Sequence, residues 1–266
     1  MKLTPVLAGA NILSIFKIKG EAFMKRILTA LVVAGAGLAI PAAAQAQDAN
    51  GRSGWGCFAG AHFAERWANN KFTRIRTVNV PGYPSSGPAA PAAFGAQSPD
   101  AAGYGAQLGC DWHSGPWVFG AQIQHDNGVA TTTAVTAFPT NSIRASAISL
   151  ETITGRAGYM VAPDLLAYVR TGFAVVFNNY SVGTPAQIVG NTPVESASTR
   201  NLGFVLGGGL EWSINSDWSL YGEFQHNNFG SVPTVFNLTA AQTAGADVLR
   251  IRQSINQLLI GVNYHF

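Results

Sequence analysis

The sequence predicts an all-β fold: an eight-stranded antiparallel up-and-down transmembrane β-barrel with short periplasmic turns and long extracellular loops. Three observations carry that prediction. Apolar and polar residues alternate with period two in eight separate runs, which is the pattern of half-buried strands. The connections between runs alternate short and long, and an even strand count with that loop asymmetry is the pattern of outer-membrane barrels. The composition agrees. Of 266 residues 47% are hydrophobic and only 11% charged, less than half the charged share usual in soluble domains.

The chain opens on a segment of a different kind. Met24-Lys25-Arg26 is a short positive stretch, Ile27 to Ile40 is an apolar run, Pro41 breaks it, and Ala44-Gln45-Ala46 fits a small-x-small cleavage rule. These are the three parts of a secretory signal peptide. The run is too short for a membrane-spanning helix. Residues 1–46 are therefore expected to be an upstream extension plus a cleaved signal, with the start at Met24 and the cut after Ala46. Residues 47–266 form the barrel. The formal charge of +3 has the same origin. Lys2, Lys17, Lys19, Lys25 and Arg26 face only Glu21 before residue 47, and the remainder holds 11 Arg and Lys against 12 Asp and Glu. No basic surface for nucleic acid survives.

Strands are expected near 54–66, 102–113, 117–126, 146–160, 165–178, 200–213, 218–228 and 250–266. In "GYGAQLGCDWH" Tyr104, Ala106, Leu108, Cys110 and Trp112 share one parity, and Gln107, Asp111 and His113 the other. The turn "SGP" leads into "WVFGAQIQHD", where Trp117, Phe119, Ala121 and Ile123 oppose Gln122, Gln124 and Asp126. The same shape returns around 161–164 and around 214–217. Long connections are expected near 67–101, 127–145, 179–199 and 229–249. The first of them is rich in Pro, Ala, Gly and Ser. In lipid every backbone N–H and C=O must be paired, which strands achieve only in a closed sheet. The apolar parity then faces lipid. Trp55, Trp112, Trp117, Tyr159, Trp212 and Trp218 sit at strand ends, mostly beside the short turns, as a periplasmic aromatic girdle. A soluble barrel of opposite polarity would have to hide these rings inside while exposing Gln, Asp and Arg.

The blocks "GYGAQLGCDWHSGPWVFGAQIQHD", "TGRAGYMVAPDLLAYVRTGFAVVFNNYS" and "LGGGLEWSINSDWSLYGEFQHNNFG" resemble those of the small porin-like outer-membrane immunogenic proteins of Gram-negative bacteria, eight-stranded barrels related to the OmpA transmembrane domain. The resemblance covers nearly all of residues 47–266 except the long loops. It implies an outer-membrane location, among outer-membrane lipid and lipopolysaccharide. It implies a structural or surface-displayed role without catalytic residues or a cofactor. Host surfaces, haem or peptidoglycan-associated envelope components are its candidate loop partners.

Inward parity collects Arg156, Arg170, Glu211 and Glu223, with Asp111, Gln107 and His62, in a lumen just wide enough for side chains to fill. Buried charges there must be paired. Two readings follow: a closed plug of ion pairs, or a gate that opens a narrow pore. Ile148 and Leu150 share the parity of Arg156, so either they face inward or a bulge intervenes, and Glu151 has no assigned side. Gly207, Gly208 and Gly209 are expected to make room for bulky lumen side chains. Some outer-membrane barrels are lipid A deacylases that use a His with a Ser two residues on. Here that position after His226 holds Asn228, so the nucleophile is missing. His226 reads instead as an interfacial residue near the outer rim. No zinc spacing or phosphate loop is present, and haem would need an exposed His62 or His125. Cys57 and Cys110 fall near the periplasmic ends of neighbouring strands with lipid-facing parity. They form a disulfide if the register makes them neighbours, and otherwise two small apolar side chains.

The last run, "NQLLIGVNYHF", puts Leu258, Ile260, Val262, Tyr264 and Phe266 on the lipid face and Gln257, Asn263 and His265 inside. It closes against the first strand, so no edge is left in lipid. An aromatic end with this alternation, Tyr264 and Phe266, resembles the signal read by the outer-membrane assembly machinery.

Overall fold

A computed structural model describes residues 54–78, 92–98, 100–135, 142–184, 186, 188, 190, 195–238 and 246–266. The expected targeting segment at 1–46, with Met24 and Ala46, lies outside the described residues, as does the middle of the first long connection. Among the described residues there are ten strands: β1 (Gly54–Val78), β2 (Ala92–Gln97), β3 (Asp100–Ser114), β4 (Trp117–Val135), β5 (Ser142–Ala162), β6 (Leu165–Gly183), β7 (Glu195–Ser213), β8 (Trp218–Val235), β9 (Asn237–Leu238) and β10 (Ala246–His265). All pairings are antiparallel.

These strands make eight staves. β2 pairs with β1 in the register that β3 continues, Asn70 opposite Gln97 and Trp67 opposite Asp100, so the two serve one stave. β9 follows β8 and pairs with β7. β10 pairs with both β8 and β1, which closes the ring. Directly opposed residues trace the circuit from Cys57 through Cys110, Ala121, Gly155, Thr171, Leu206, His226 and Asn256 to Trp67. The path returns to β1 ten residues above its start (Cys57 to Trp67). A stagger of ten over eight strands tilts them by about 40° and gives a backbone radius of roughly 8 Å. Each residue then climbs about 2.5 Å along the barrel axis.

The short turns hold as expected. Gly115 takes a positive φ of 58° at the first central position of the Gly115-Pro116 hairpin, the place a type II′ turn gives to glycine. Adjacent turns are laced together: Met160 N–H donates to Pro116 O, Ser213 N–H to Asp164 O and His265 N–H to Asp217 O. Trp112, Trp117, Tyr159, Trp212 and Trp218 are exposed at this end, and Trp117 meets Tyr159 edge-on at 5.0 Å.

At the other end the structure departs from the expectation. The strands run well past their predicted outer ends, β1 to Val78 and β8 to Val235, and parts of all four expected long connections are sheet. The reason is an inversion of polarity along the barrel. Near the turns β10 shows Val262 and Ile260 outside and buries Asn263 and Gln257. Higher up it shows Arg252 and Arg250 outside and buries Ile255, Ile251 and Leu249. β1 changes the same way, from His62 and Arg66 inside to Ala68 and Phe72. A rule that assigns apolar residues to the outside loses the strand at that point. The upper interior holds an apolar core of Phe72, Ile143, Tyr180, Val182, Phe236, Leu249 and Ile251 with Ala145 and Ala197. Below it lies a layer of Ala68, Leu150, Ala174, Val176, Val205, Phe229 and Ile255.

Both alternatives at Ile148 and Leu150 are realised. Leu150 is buried in that layer and Ile148 is exposed, with a register shift between Ala147 and Ser149. A second shift on β4, between Asn127 and Ala130, is shaped around Gly128. Its φ is 124°, and a Cβ there would lie 2.4 Å from Gly103 Cα, so only glycine fits the bulge.

Candidate functional site

Below the apolar layers the lumen is polar, and the predicted residues meet there. Inward parity on β3, β5 and β7 brings Asp111, Arg156 and Glu211 into one tier next to the turns. Arg156 Nε donates to Asp111 Oδ1 at 2.7 Å and Nη1 to Glu211 Oε2 at 2.8 Å. Arg156 Nη2 also bonds Asp111 Oδ2. The guanidinium lies between two rings, 4.7 Å from the centre of Phe58 and 5.3 Å from that of Tyr168. Glu211 Oε1 further accepts from Ser219 at 2.5 Å and from Asn263 at 2.8 Å, and His265 Nε2 lies 3.4 Å from it.

The next tier is built on Arg170 and Glu223. Arg170 Nη1 is 3.1 Å from Glu223 Oε1 and donates to Gln124 Oε1 at 2.9 Å, while Nη2 donates to Thr152 at 3.1 Å. Tyr168 donates to Glu223 Oε2 at 2.7 Å. Amides carry the chain onward: Gln225 donates to Glu223 at 2.6 Å, and Gln257 donates to Gln225 at 2.5 Å. Gly207 leaves the space this needs, since a Cβ there would sit 3.2 Å from both Arg170 Cγ and Gln225 Cγ. Gly209 does the same for the Tyr168 hydroxyl, 2.9 Å from where its Cβ would be. Gly208, of opposite parity, takes no part.

A third tier joins His62 and Asp126, both on the inward parity, to Arg66, which the sequence reading missed. Asp126 Oδ1 lies 2.7 Å from His62 Nε2 and accepts from Arg66 Nη2 at 2.9 Å. Arg66 Nε donates to Gln257 at 2.9 Å, and its Nη1 donates to Asn127 O and Gly128 O, the carbonyls of the β4 bulge. Position 66 lies at the predicted end of the first strand, where inward and loop residues cannot be told apart by parity. Across the three tiers Arg66, Arg156 and Arg170 face Asp111, Asp126, Glu211 and Glu223, and all are at most 5% exposed. The network bonds each buried charge at least twice, which is what makes charge burial tolerable.

The remaining candidates lie elsewhere. His62 is 2% exposed, inside as its parity indicated, so it does not meet the condition of an exposed haem ligand: its ring is held by Asp126 inside the wall. Glu151 faces outward and bonds His125, 2.6 Å between Oε1 and Nδ1, with both side chains exposed. His226 also faces outward and bonds Asn256 at 2.6 Å. It stands eight residues above Trp218 on β8, about 20 Å up the axis. That is the upper edge of the apolar band and not the rim of the barrel, which continues above it.

Cys57 and Cys110 are directly opposite on β1 and β3 and form a disulfide. Mass spectrometry of the unfolded, thiol-alkylated protein is expected to find both cysteines unlabelled without reductant and both labelled after reduction. Labelling of both in the unreduced protein would show free thiols. Cys57 is also the partner of the last residue. Phe266 N–H donates to Cys57 O at 2.9 Å, and Cys57 N–H donates to Phe266 O at 3.3 Å. Tyr264 packs against Trp218, ring centres 5.1 Å apart.

On the outside, exposed Leu108, Ile123, Ile153, Val169, Phe173, Leu206, Leu210 and Phe224 form a continuous apolar band above the girdle. A family model described as outer membrane protein beta-barrel domain matches residues 30–266. No curated protein matches the chain. Among solved structures it is similar to the outer membrane protein OprG of Pseudomonas aeruginosa, with 12% identity over 81% of this chain and 97% of that one and a TM-score of 0.49. It is similar to the outer membrane protease OmpT of Escherichia coli, with 9% identity, 85% and 99% coverage and a TM-score of 0.49. It is also similar to Ail, the attachment invasion locus protein of Yersinia pestis, with 10% identity, 78% and 98% coverage and a TM-score of 0.38. At these scores none of the three carries an activity across to this chain. The family match spans the whole described barrel, and it gives the apolar band its solvent: the chain belongs to the outer membrane protein beta-barrel domain family and resides in the bacterial outer membrane.

Proposed function

We propose that this protein is a non-enzymatic, closed barrel that serves the envelope as a structural and surface-displayed element and passes no solute. One observation carries the reading: the section of the lumen is occupied by three tiers of ion pairs and capped by an apolar layer. A void lined by Arg66, Leu150, Val176 and Ile255 measures about 10 Å³, room for a single water at most. The acids Asp111, Asp126, Glu211 and Glu223 are engaged with arginines and amides inside the wall, which also supports the absence of catalysis. Above the membrane the apolar core of the extension lets the barrel stand clear of the lipid as a stalk.

Planar-bilayer recording of the refolded protein is the test. Wild type is expected to give no steady channels, and Arg170→Ala and Glu223→Ala, still capped by the apolar layer, are expected to stay closed as well. Steady wild-type conductance would overturn the plugged reading in favour of a narrow pore.

The closing strand carries a second part of the proposal, contact with the outer-membrane assembly machinery through Tyr264 and Phe266. Phe266 is half exposed at the turn end and bonded by its backbone to Cys57, so its ring is available while its main chain closes the seam. Phe266→Ser is expected to slow insertion in cells by about tenfold while shifting the unfolding free energy of the assembled barrel by no more than about 0.5 kcal/mol, as for other exposed side chains. Pulse-chase heat-modifiability and urea titration separate the two, and wild-type insertion kinetics would show that the ring is a girdle residue only.

A further inference from the structure

On the outer face of the extension, at the seam where β1 and β10 close the barrel, three cations stand together. Lys71 lies directly opposite Arg252, and Arg250 follows two residues along the same face of β10, opposite Thr73. All three are exposed. Among the described residues none of them has an acidic partner. The flanking positions on β8 are Ser231, opposite Arg252, and Pro233, opposite Arg250, so no carboxylate comes from that side. The nearest described acid on the other side is Asp100, opposite Trp67, four residues down β1 from Lys71.

Like charges directly opposite in a sheet destabilise it. An unpartnered Lys–Arg pair at a barrel seam, with a second Arg beside it, is therefore retained at a cost unless an anion bridges it. The height of the cluster identifies that anion. From the girdle residue Tyr264, Arg252 is 12 and Arg250 14 residues up β10, or about 30 and 35 Å along the axis. The apolar band of such a barrel is about 25 Å tall. The cluster thus stands about 5–10 Å above the outer edge of the hydrocarbon, where the polar heads of the outer leaflet lie. Guanidinium groups take phosphate oxygens in pairs, and Lys71 and the hydroxyls of Thr73 and Ser231 add donors beside them.

We propose that Lys71, Arg250 and Arg252 form a binding site for the phosphate groups of the outer-leaflet glycolipid, the phosphorylated lipid A of lipopolysaccharide. This goes beyond the closed-barrel reading and does not depend on it, since a conducting barrel would present the same face. The bound phosphate neutralises the opposed cations and ties the closing seam of the extension to the leaflet. Arg200 is the internal comparison. It is exposed at similar height on β7, but its guanidinium lies over the Phe177 ring at 5.5 Å, and no other cation stands opposite it among the described residues.

The experiment uses the full chain refolded in phosphatidylcholine vesicles doped with bisphosphorylated lipid A, with dephosphorylated lipid A, or with phosphatidylglycerol. Lipid retained through mild detergent extraction is measured by mass spectrometry. Wild type is expected to retain bisphosphorylated lipid A at least about tenfold over the other two. The triple variant Lys71→Gln, Arg250→Gln, Arg252→Gln is expected to lose that preference, with unchanged heat-modifiable mobility showing that the barrel is intact. Arg200→Gln is expected to keep it. The proposal falls if the triple variant retains lipid A like wild type. It also falls if phosphatidylglycerol is retained equally, or if Arg200→Gln lowers retention as far as the triple variant does.

Discussion

Replacing Arg156 with alanine is expected to lower the stability of the folded barrel by about 3–5 kcal/mol, the cost of leaving a buried ion pair half-made. Its guanidinium is the only cation within bonding distance of Asp111 among the described contacts, and it also holds Glu211. Without it two carboxylates remain buried in one tier, on opposite walls of a lumen too narrow to hydrate them. The Phe58 and Tyr168 rings that sandwich Arg156 would lose a packing partner as well. The loss comes from uncompensated charge, so it is expected to be largely recovered by Arg156→Met combined with Asp111→Asn and Glu211→Gln. Urea unfolding of the three proteins in vesicles, followed by tryptophan fluorescence, checks both parts. A loss below about 1 kcal/mol in the single variant would mean that water already reaches the tier.

Phe72→Ala is expected to cost a similar amount, about 3–5 kcal/mol, but in a different place. Phe72 is 1% exposed and meets the Tyr180 ring edge-on at 5.9 Å, and Tyr180 in turn meets Phe236 at 6.3 Å. Their cluster lies wholly above the lipid band, among strands whose outward residues are Asn69, Lys71, Asn179 and Ser198. Here water surrounds the sheet and the hydrophobic effect acts as in a soluble protein. Deleting the ring is therefore expected to speed amide hydrogen exchange in the upper parts of β1, β6 and β10 while the amides of the lipid band keep their protection. Asn69→Ala, exposed on the same strand, is expected to change exchange little. Uniform loss of protection along β6 would show that the extension and the membrane band unfold as one unit.

How much of this was legible follows from which solvent each residue meets. In the lipid band alternation has one meaning: apolar out, polar in. There the strand starts beside the turns, the girdle and the inward set Asp111, Arg156, Arg170, Glu211 and Glu223 could all be placed by parity. The same rule failed above residue 66 on β1 and 228 on β8, because the outside there is water and the core is the interior. A run such as "ANNKFTRIRTV" still alternates, with Ala68, Asn70, Phe72 and Arg74 inward, but it mixes apolar and polar residues on one face and reads as loop. Register was also beyond reach. Parity put Cys57 and Cys110 on one face of adjacent strands, and only the pairing made them direct neighbours. It likewise put His62 and Asp126 on inward positions of distant segments, and only the ring of staves brought them, with Arg66, within hydrogen-bond reach.

The sequence by itself determined that the chain is a membrane barrel, which face of each strand meets lipid, and which charges must be buried, because period-two alternation and turn chemistry are local. The tertiary structure alone decided how far the sheet rises beyond the membrane, which charge pairs with which, and that Lys71, Arg250 and Arg252 share one seam. Those depend on a stagger of ten residues around a closed ring, a property of the whole circuit that no single strand carries.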